Sequence, residues 1–264
     1  MPAVSARPAA VAGSFYPGGS SELLRCVDDM LSASGEGVRR PKALIAPHAG
    51  YVYSGPTAAR AYATLRPFAS EIRRVVLFGP AHRVAISGLA APTVTAFVTP
   101  LGSVPVDQEA LTTACRLPQV QWNDSVHAYE HSLEVQLPFL QRVLGEFTIV
   151  PLVVGNASAA AIAEVMEVLW GGEETLVVVS SDLSHYLPYP EAQRIDRTSI
   201  EAIRHLEPLQ HFDQACGALP INGLIEVARK RGLEAELLDS CNSGDTAGDK
   251  ARVVGYAALA FYEP

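Results

Sequence analysis

Three aliphatic runs in this chain each lead into a histidine: Ala43-Leu-Ile-Ala-Pro-His48, Arg74-Val-Val-Leu-Phe-Gly-Pro-Ala-His82 and Leu176-Val-Val-Val-Ser-Ser-Asp182-Leu-Ser-His185. Uninterrupted aliphatic runs of this length are what a strand covered on both faces requires. Each run breaks at Pro, Gly or Ser, and the imidazole follows the break. Loops at the carboxyl ends of strands in open α/β sheets are where sites are built. Three imidazoles on one such rim suit a metal ion and a group that moves protons. A single histidine at a strand end can equally be hydrogen-bonded and inert. Small neighbours, Ala49-Gly50 after His48 and Gly79 before His82, let a ligand approach the backbone. Arg83 beside His82 opposes a second cation unless it points outward.

Asp182 and His185 stand three residues apart after the third run. The carboxylate suits orientation of His185 or of a metal ligand, and the imidazole suits general acid/base work. Ser181 or Ser184 with this pair would make a nucleophile triad, but no Gly-x-Ser-x-Gly elbow is present. The densest polar cluster is His127-Ala-Tyr-Glu130-His131-Ser-Leu-Glu134. On a helix, His127 and His131 would share a face, with Glu134 a turn further on. The spacing is not His-Glu-x-x-His, so the zinc-protease motif is absent. The cluster could bind substrate, supply an acid or merely cap the helix. Cys216, before Gly217, reads as structural or as a thiolate ligand.

These residues need elements to carry them. Strands are expected over 42–46, 74–79, 94–98, 147–154, 175–180, 235–240 and 252–262. Helices are expected over 20–33, 55–65, 107–115, 131–144, 158–170, 190–205, 208–216 and 220–231. Asp107 and Ser158 are suitable N-caps, and Gly232 after Arg229-Lys-Arg231 a suitable stop. The last stretch fits helix or strand, and its valines and aromatics favour strand. Alternation throughout predicts a single α/β domain over 1–264, with a mixed or mostly parallel central sheet flanked by helices.

Hydrophobic residues at 48% and charged residues at 18% predict a well-packed core rather than disorder. A net charge of −8 argues against a nucleic-acid-binding face. No apolar run approaches the roughly 20 residues that span a bilayer. Pro and Arg interrupt the first residues, so no signal peptide is read there. A cytoplasmic location is the expectation, and the four cysteines, none closely spaced, are expected to be free thiols or ligands.

Several segments in order resemble the Memo family (mediator of ErbB-driven cell motility), whose bacterial and archaeal branch is component B of the AmmeMemoRadiSam system. They are Val11-Ala-Gly-Ser-Phe-Tyr-Pro17, Pro47-His-Ala-Gly-Tyr51, Gly79-Pro-Ala-His82, Glu130-His-Ser-Leu-Glu134, Ser180-Ser-Asp182, Cys216-Gly217 and Gly244-Asp-Thr-Ala-Gly-Asp-Lys-Ala-Arg-Val-Val-Gly-Tyr256. The resemblance implies a fold related to class III extradiol dioxygenases, which are non-haem iron enzymes. It implies metal ligands at His48, His82 and Cys216, a further pocket histidine at His185, and neighbouring polar positions at Asp182 and His131. A thiolate where the ring-cleaving relatives have a carboxylate puts inherited ring cleavage in doubt. The first expectation is therefore an oxidoreductase-like site holding iron or copper, with His185 as acid/base and Asp182 and His131 beside it. The second is a zinc hydrolase, with His185 or Glu134 taking a proton from water. The third is a binding module for a small molecule or peptide, paired with AMMECR-type and radical-SAM proteins. Arg83 and Tyr186 sit at the pocket edge and bear on what it accepts.

Overall fold

The computed structural model describes residues 5–211 and 213–264. Twelve strands occur in them: β1 (Ala6–Arg7), β2 (Ala43–Ala46), β3 (Arg74–Pro80), β4 (Leu89–Ala91), β5 (Ala96–Thr99), β6 (Gly102–Pro105), β7 (Val120–Trp122), β8 (Thr148–Val154), β9 (Thr175–Ser180), β10 (His185–Leu187), β11 (Glu234–Asn242) and β12 (Val253–Tyr262). Eight helices accompany them: α1 (Ser20–Ser32), α2 (Tyr51–Ala63), α3 (Gln108–Ala114), α4 (Asp124–His127), α5 (Leu137–Val143), α6 (Ala159–Val168), α7 (Tyr189–Arg204) and α8 (Ala218–Arg231).

The main sheet runs β10-β12-β2-β9-β3-β8-β4-β7, with β11 also paired to β12. Its centre, β2-β9-β3-β8, is parallel, and β12 and β4 lie antiparallel on either side. The sheet is mixed. Every residue of β2 and β9 is buried, as are all but the first of β3 and of β8. Such strands are covered on both faces, and two helix groups do the covering. α1, α2 and α5 pack with one another and with β2, β11 and β12, whereas α3, α6 and α8 pack with one another and with β3, β8 and β9. One continuous apolar core runs from Val11 to Tyr262.

The expected caps form. Asp107 and Ser158 accept N–H groups of Ala110 and Ala161, and Gly232 closes α8 at φ 70°. The last stretch is strand β12, as its composition favours. The strand expected over 94–98 forms as β5 but belongs to a separate three-stranded sheet with β1 and β6. Strands β1, β4, β6, β7 and β10 are too short for a periodic signal.

Two helices depart from expectation. The segment 131–144 is helical only from Leu137, after a 3₁₀ turn at Glu134–Gln136. The backbone before it turns because the Glu130 carboxylate accepts the N–H groups of both His131 and Ser132. His127 and His131 therefore do not share a helix face. His127 closes α4 and pairs its Nε2 with the Ala90 carbonyl, away from His131. The helix expected over 208–216 does not form in the described residues of that span, of which 212 is not one. There Asn222 pairs with both backbone groups of Leu209, and Gln214 Oε1 accepts from Gln210 and His211, so side chains replace the helical bonds. Residues 1–4, part of the stretch read for a signal peptide, also lie outside the described residues. No helix among those described is long and apolar enough to cross a membrane, and all four cysteines are free.

Candidate metal centre

The carboxyl ends of β2, β3 and β9 meet at one rim and deliver His48, His82, Asp182 and His185 to one cleft of about 810 Å³. His131 reaches the same cleft from the turn before α5. Two glycines allow this approach. A Cβ on Gly79 would sit 2.6 Å from Ser132 Oγ, so only glycine lets the 131–133 turn lie on the end of β3. A Cβ on Gly217 would sit 2.6 Å from Ser181 Cβ, so the Cys216-Gly217 pair can close on the end of β9.

His48, His82 and His131 each offer a ring nitrogen within 4.8 Å of the others. Their ring centroids are 5.1, 5.4 and 4.7 Å apart. Imidazoles radiating from one ion at about 2.1 Å from each nitrogen have ring centres roughly 5 Å apart. The separations fit one ion held by three rings.

Hydrogen bonds settle which nitrogen His48 and His82 present. Gln136 Nε2 donates to the Pro47 carbonyl and to Ser180 Oγ, while its Oε1 accepts the Tyr62 hydroxyl. The single Ser180 proton goes to the Ser132 carbonyl at 2.6 Å. Ser180 Oγ can therefore only accept from His48 Nδ1, 2.8 Å away. His48 carries its proton on Nδ1, and Nε2 keeps its lone pair. At His82, Nδ1 lies 2.9 Å from Glu130 Oε1, and Glu130 Oε2 accepts the His82 backbone N–H. Burial raises the Glu130 pKa, but the His82 ring and the surrounding N–H donors outweigh it and hold the carboxyl down at about 2. The ionised carboxylate fixes the proton on Nδ1 and leaves Nε2 free, the usual arrangement around a metal-bound histidine. His131 Nδ1 is buried without a hydrogen-bond partner. The nearest carboxylate oxygen, Glu130 Oε1, lies 3.4 Å from it.

The electrostatics agree. Burial, then the neighbouring imidazoles of His82 and His131, push His48 well below 6.5. Burial takes His131 down to about 4. Neutral imidazoles are the form that ligates.

Cys216 adjoins the cluster at one edge, its Sγ 3.3 Å from His48 Nε2 and accepting the Asp182 N–H. Burial, then Asp182, pushes its thiol up to about 12. Asp182 Oδ1 accepts the N–H groups of His48 and Ala49, so it fixes the turn that carries His48 rather than the His185 ring. Burial raises its carboxyl to about 7 against those N–H bonds. His185 Nδ1 instead donates to the Leu183 carbonyl, which leaves Nε2 free in the cleft. Burial lowers its pKa. Neither Ser181 nor Ser184 bonds to His185, so no nucleophile triad is assembled. Ser181 is bound to the Asp182 carbonyl and the Gly217 N–H.

Glu134 is fully buried and does not serve as a base. Its carboxylate accepts from Arg7, from the Ala10 and Val11 N–H groups and from the Tyr16 hydroxyl. This clamp lays residues 7–16 over the site and sets the Phe15 ring against His131, tilted by 51° with centroids 4.6 Å apart. Sequence reasoning missed the roles of Glu130, Ser180, Gln136 and Phe15. Glu130 had a visible signal in its place beside His131. Gln136 had none, because its partners come from β2, α2 and β9.

Fold and site together define an α/β protein with a three-imidazole, metal-type pocket at the carboxyl rim of a mixed sheet. A family model described as Memo-like protein matches residues 7–260, and the chain belongs to that family. It is 39% identical to a MEMO1 family protein of Ignicoccus hospitalis, over 98% of this chain and 99% of the relative. It is 37% identical to a MEMO1 family protein of Aquifex aeolicus, over 97% and 98%. A crystal structure of an uncharacterized Escherichia coli K12 protein superposes with a TM-score of 0.52, covering 83% of this chain and 99% of that one. At 14% identity it supports the fold alone.

Proposed function

We propose that this chain is a metal-dependent oxidoreductase with a non-haem iron site, copper being the alternative redox ion. The observation that carries the reading is the convergence of His48, His82 and His131, with proton positions on His48 and His82 that leave nitrogens free for an ion. Bound there, iron supplies one-electron redox chemistry. Glu130 orients His82, and Ser180, backed by Gln136 and Tyr62, orients His48. Phe15 and the turn over the site restrict water at His131. His185 is neutral at pH 7 and takes a proton at Nε2. Asp182 lines the same cleft, and its Oδ1 holds the turn that carries His48.

The family resemblance implies Cys216 as third ligand, and its Sγ lies 3.3 Å from His48 Nε2, outside the mutually close group of His48, His82 and His131. We place His131 in that position and Cys216 as the thiol that adjoins it. Metal analysis after anaerobic purification separates the two. His131→Ala is expected to lose stoichiometric iron, and Cys216→Ser to keep it. The reverse pattern would restore Cys216 to the ligand set. Iron-dependent oxygen consumption is expected of the loaded protein. Full loading with no oxygen uptake under any reductant would rule out the redox role.

Three imidazoles also suit zinc, and the free His185 Nε2 in the same cleft could then accept a proton from bound water. Native zinc with ester or amide hydrolysis would select that reading. The pairing with AMMECR-type and radical-SAM proteins is a further proposal resting on the family resemblance, to be tested by co-purification.

A further inference from the structure

The main sheet ends in two unlike edges. One is β7, three residues long. The other is β11, nine residues long, which pairs with β12 alone. Among the described residues, no backbone N–H or C=O of 234–241 bonds to anything outside that ladder. An antiparallel ladder uses alternate residues of a strand on each side, so about half of these groups face outward. An open edge of this length is a template for another strand.

The sheet is hollowed on both faces beside this edge. α2 packs on one face of β11 and α7 on the other. On the α2 side, Val38, Arg60, Glu236 and Leu238 line a hollow of about 220 Å³. On the α7 side, Asp196, Arg197, Leu237 and Asp245 line one of about 230 Å³. Side chains of a strand point alternately to opposite faces. A strand laid along β11 would send its side chains into the two hollows in turn. Val38 borders the first hollow and is 96% exposed, an apolar side chain left for a partner to cover.

Charge selects the occupant. Glu36, Asp196, Glu236, Asp239 and Asp245 lie on the edge or in its hollows, and none forms an ion pair among the described residues. Against them stand the guanidiniums of Arg60 and Arg197, while Arg39 and Glu234 satisfy each other at 2.7 Å. The surface is acidic. Like charges brought together across a ladder are destabilising, so it disfavours a second copy of itself and suits lysine or arginine.

We propose that the outer edge of β11 takes up an extended, lysine- or arginine-rich segment of another protein as an added strand. Backbone hydrogen bonds to β11 hold the segment, and its side chains alternate between the hollows. This surface does not depend on the metal reading of the cleft.

Fluorescence anisotropy with the full chain tests it. The probe is a labelled nine-residue peptide of alternating threonine and lysine. It is compared with a threonine–glutamate counterpart, and with the lysine peptide N-methylated at two adjacent central residues, which blocks both of its edges. The lysine peptide is expected to bind about tenfold tighter than either. It is also expected to slow hydrogen exchange of amides within 234–241. Glu36 and Glu236 are both exposed. The double variant Glu36→Lys, Glu236→Lys is expected to weaken the lysine peptide about tenfold. Equal binding of the N-methylated peptide, or unchanged exchange in 234–241, would overturn the added strand, since charge alone would then account for binding. Equal binding of the glutamate peptide would overturn the basic partner. No binding of the lysine peptide would overturn the proposal outright. A dimer in light scattering, with exchange at 234–241 slowed as protein concentration rises, would overturn it by assigning the edge to a second copy.

Discussion

The histidines are ordinary residues until their protons are placed. Ser180 has one proton and gives it to a carbonyl, so His48 must donate to it. Glu130 is ionised, so His82 must donate to it. Both rings then turn an unprotonated nitrogen to the same point. Glu130→Gln would put an amide N–H₂ among donors that need an acceptor. Its expected effect is a 10- to 100-fold loss of metal affinity with the fold retained, read by competition against a chromogenic chelator. Unchanged affinity would mean that His82 is oriented by packing alone. Ser180→Ala leaves His48 Nδ1 and one Gln136 donor buried without partners. A stability loss of about 1–3 kcal/mol in urea unfolding is expected, together with weaker metal binding. The Val179-Ser180-Ser181 segment shows a strand ending in hydroxyls; it does not show which carbonyl consumes the proton.

The short elements carry the site as much as the long ones. Residues 6–16 add only the two residues of β1 to a sheet, yet Arg7 and Glu134 tie them down through a buried ion pair of 2.6 Å. Arg7 also donates to the carbonyls of His127 and Glu130. Removing one partner leaves the other charged in the core, which costs about 3–5 kcal/mol. Arg7→Met is expected to show that loss in denaturant unfolding. The double variant Arg7→Met, Glu134→Leu is expected to lose less than the two single changes summed. Simple additivity would show that the two groups act separately. The same clamp explains why 131–144 reads as one helix yet folds as a turn and a shorter helix. Leu133, Leu137 and Leu140 stand at helical spacing in it and are buried. The carboxylates of Glu130 and Glu134 bind backbone and side-chain donors from elsewhere in the chain, and the first turn is unwound to meet them.

At the scale of the whole molecule, acid sensitivity follows from neutral histidines in the core. His127 is 2% exposed, and burial lowers its pKa to about 4. Its folded pKa lies below the unfolded value near 6.5, so the unfolded chain binds the proton more readily between the two. The contribution is complete above about pH 6.5 and is lost as pH falls towards 4, a change of roughly 3 kcal/mol. His127→Gln is expected to flatten that part of the stability–pH curve, measured as urea midpoints at pH 7 and pH 4.5. Equal slopes for the two proteins would remove His127 as the source.

The aliphatic runs, caps and glycines determined by themselves that this is an α/β protein, because burial on both faces and helix termination are local demands. They also placed His48, His82 and His185 at strand ends, because a strand that breaks at Pro, Gly or Ser hands the next residues to a loop. The bounds of β9 and the strand identity of β12 were legible for the same reason. The tertiary structure alone decided which polar groups meet. His131 enters the cluster because an ionised Glu130 turns the chain there, and Glu134 is taken out of the cleft by a clamp from residues 7–16. Cys216 is brought beside His48 across 168 residues by Gly217 closing on Ser181. Strand order, side-chain hydrogen bonds and close approaches at glycine join residues far apart in the chain. No local spacing encodes those meetings, so the approach of His131 to His48 and His82, and the groups that orient those rings, became visible only in the folded molecule.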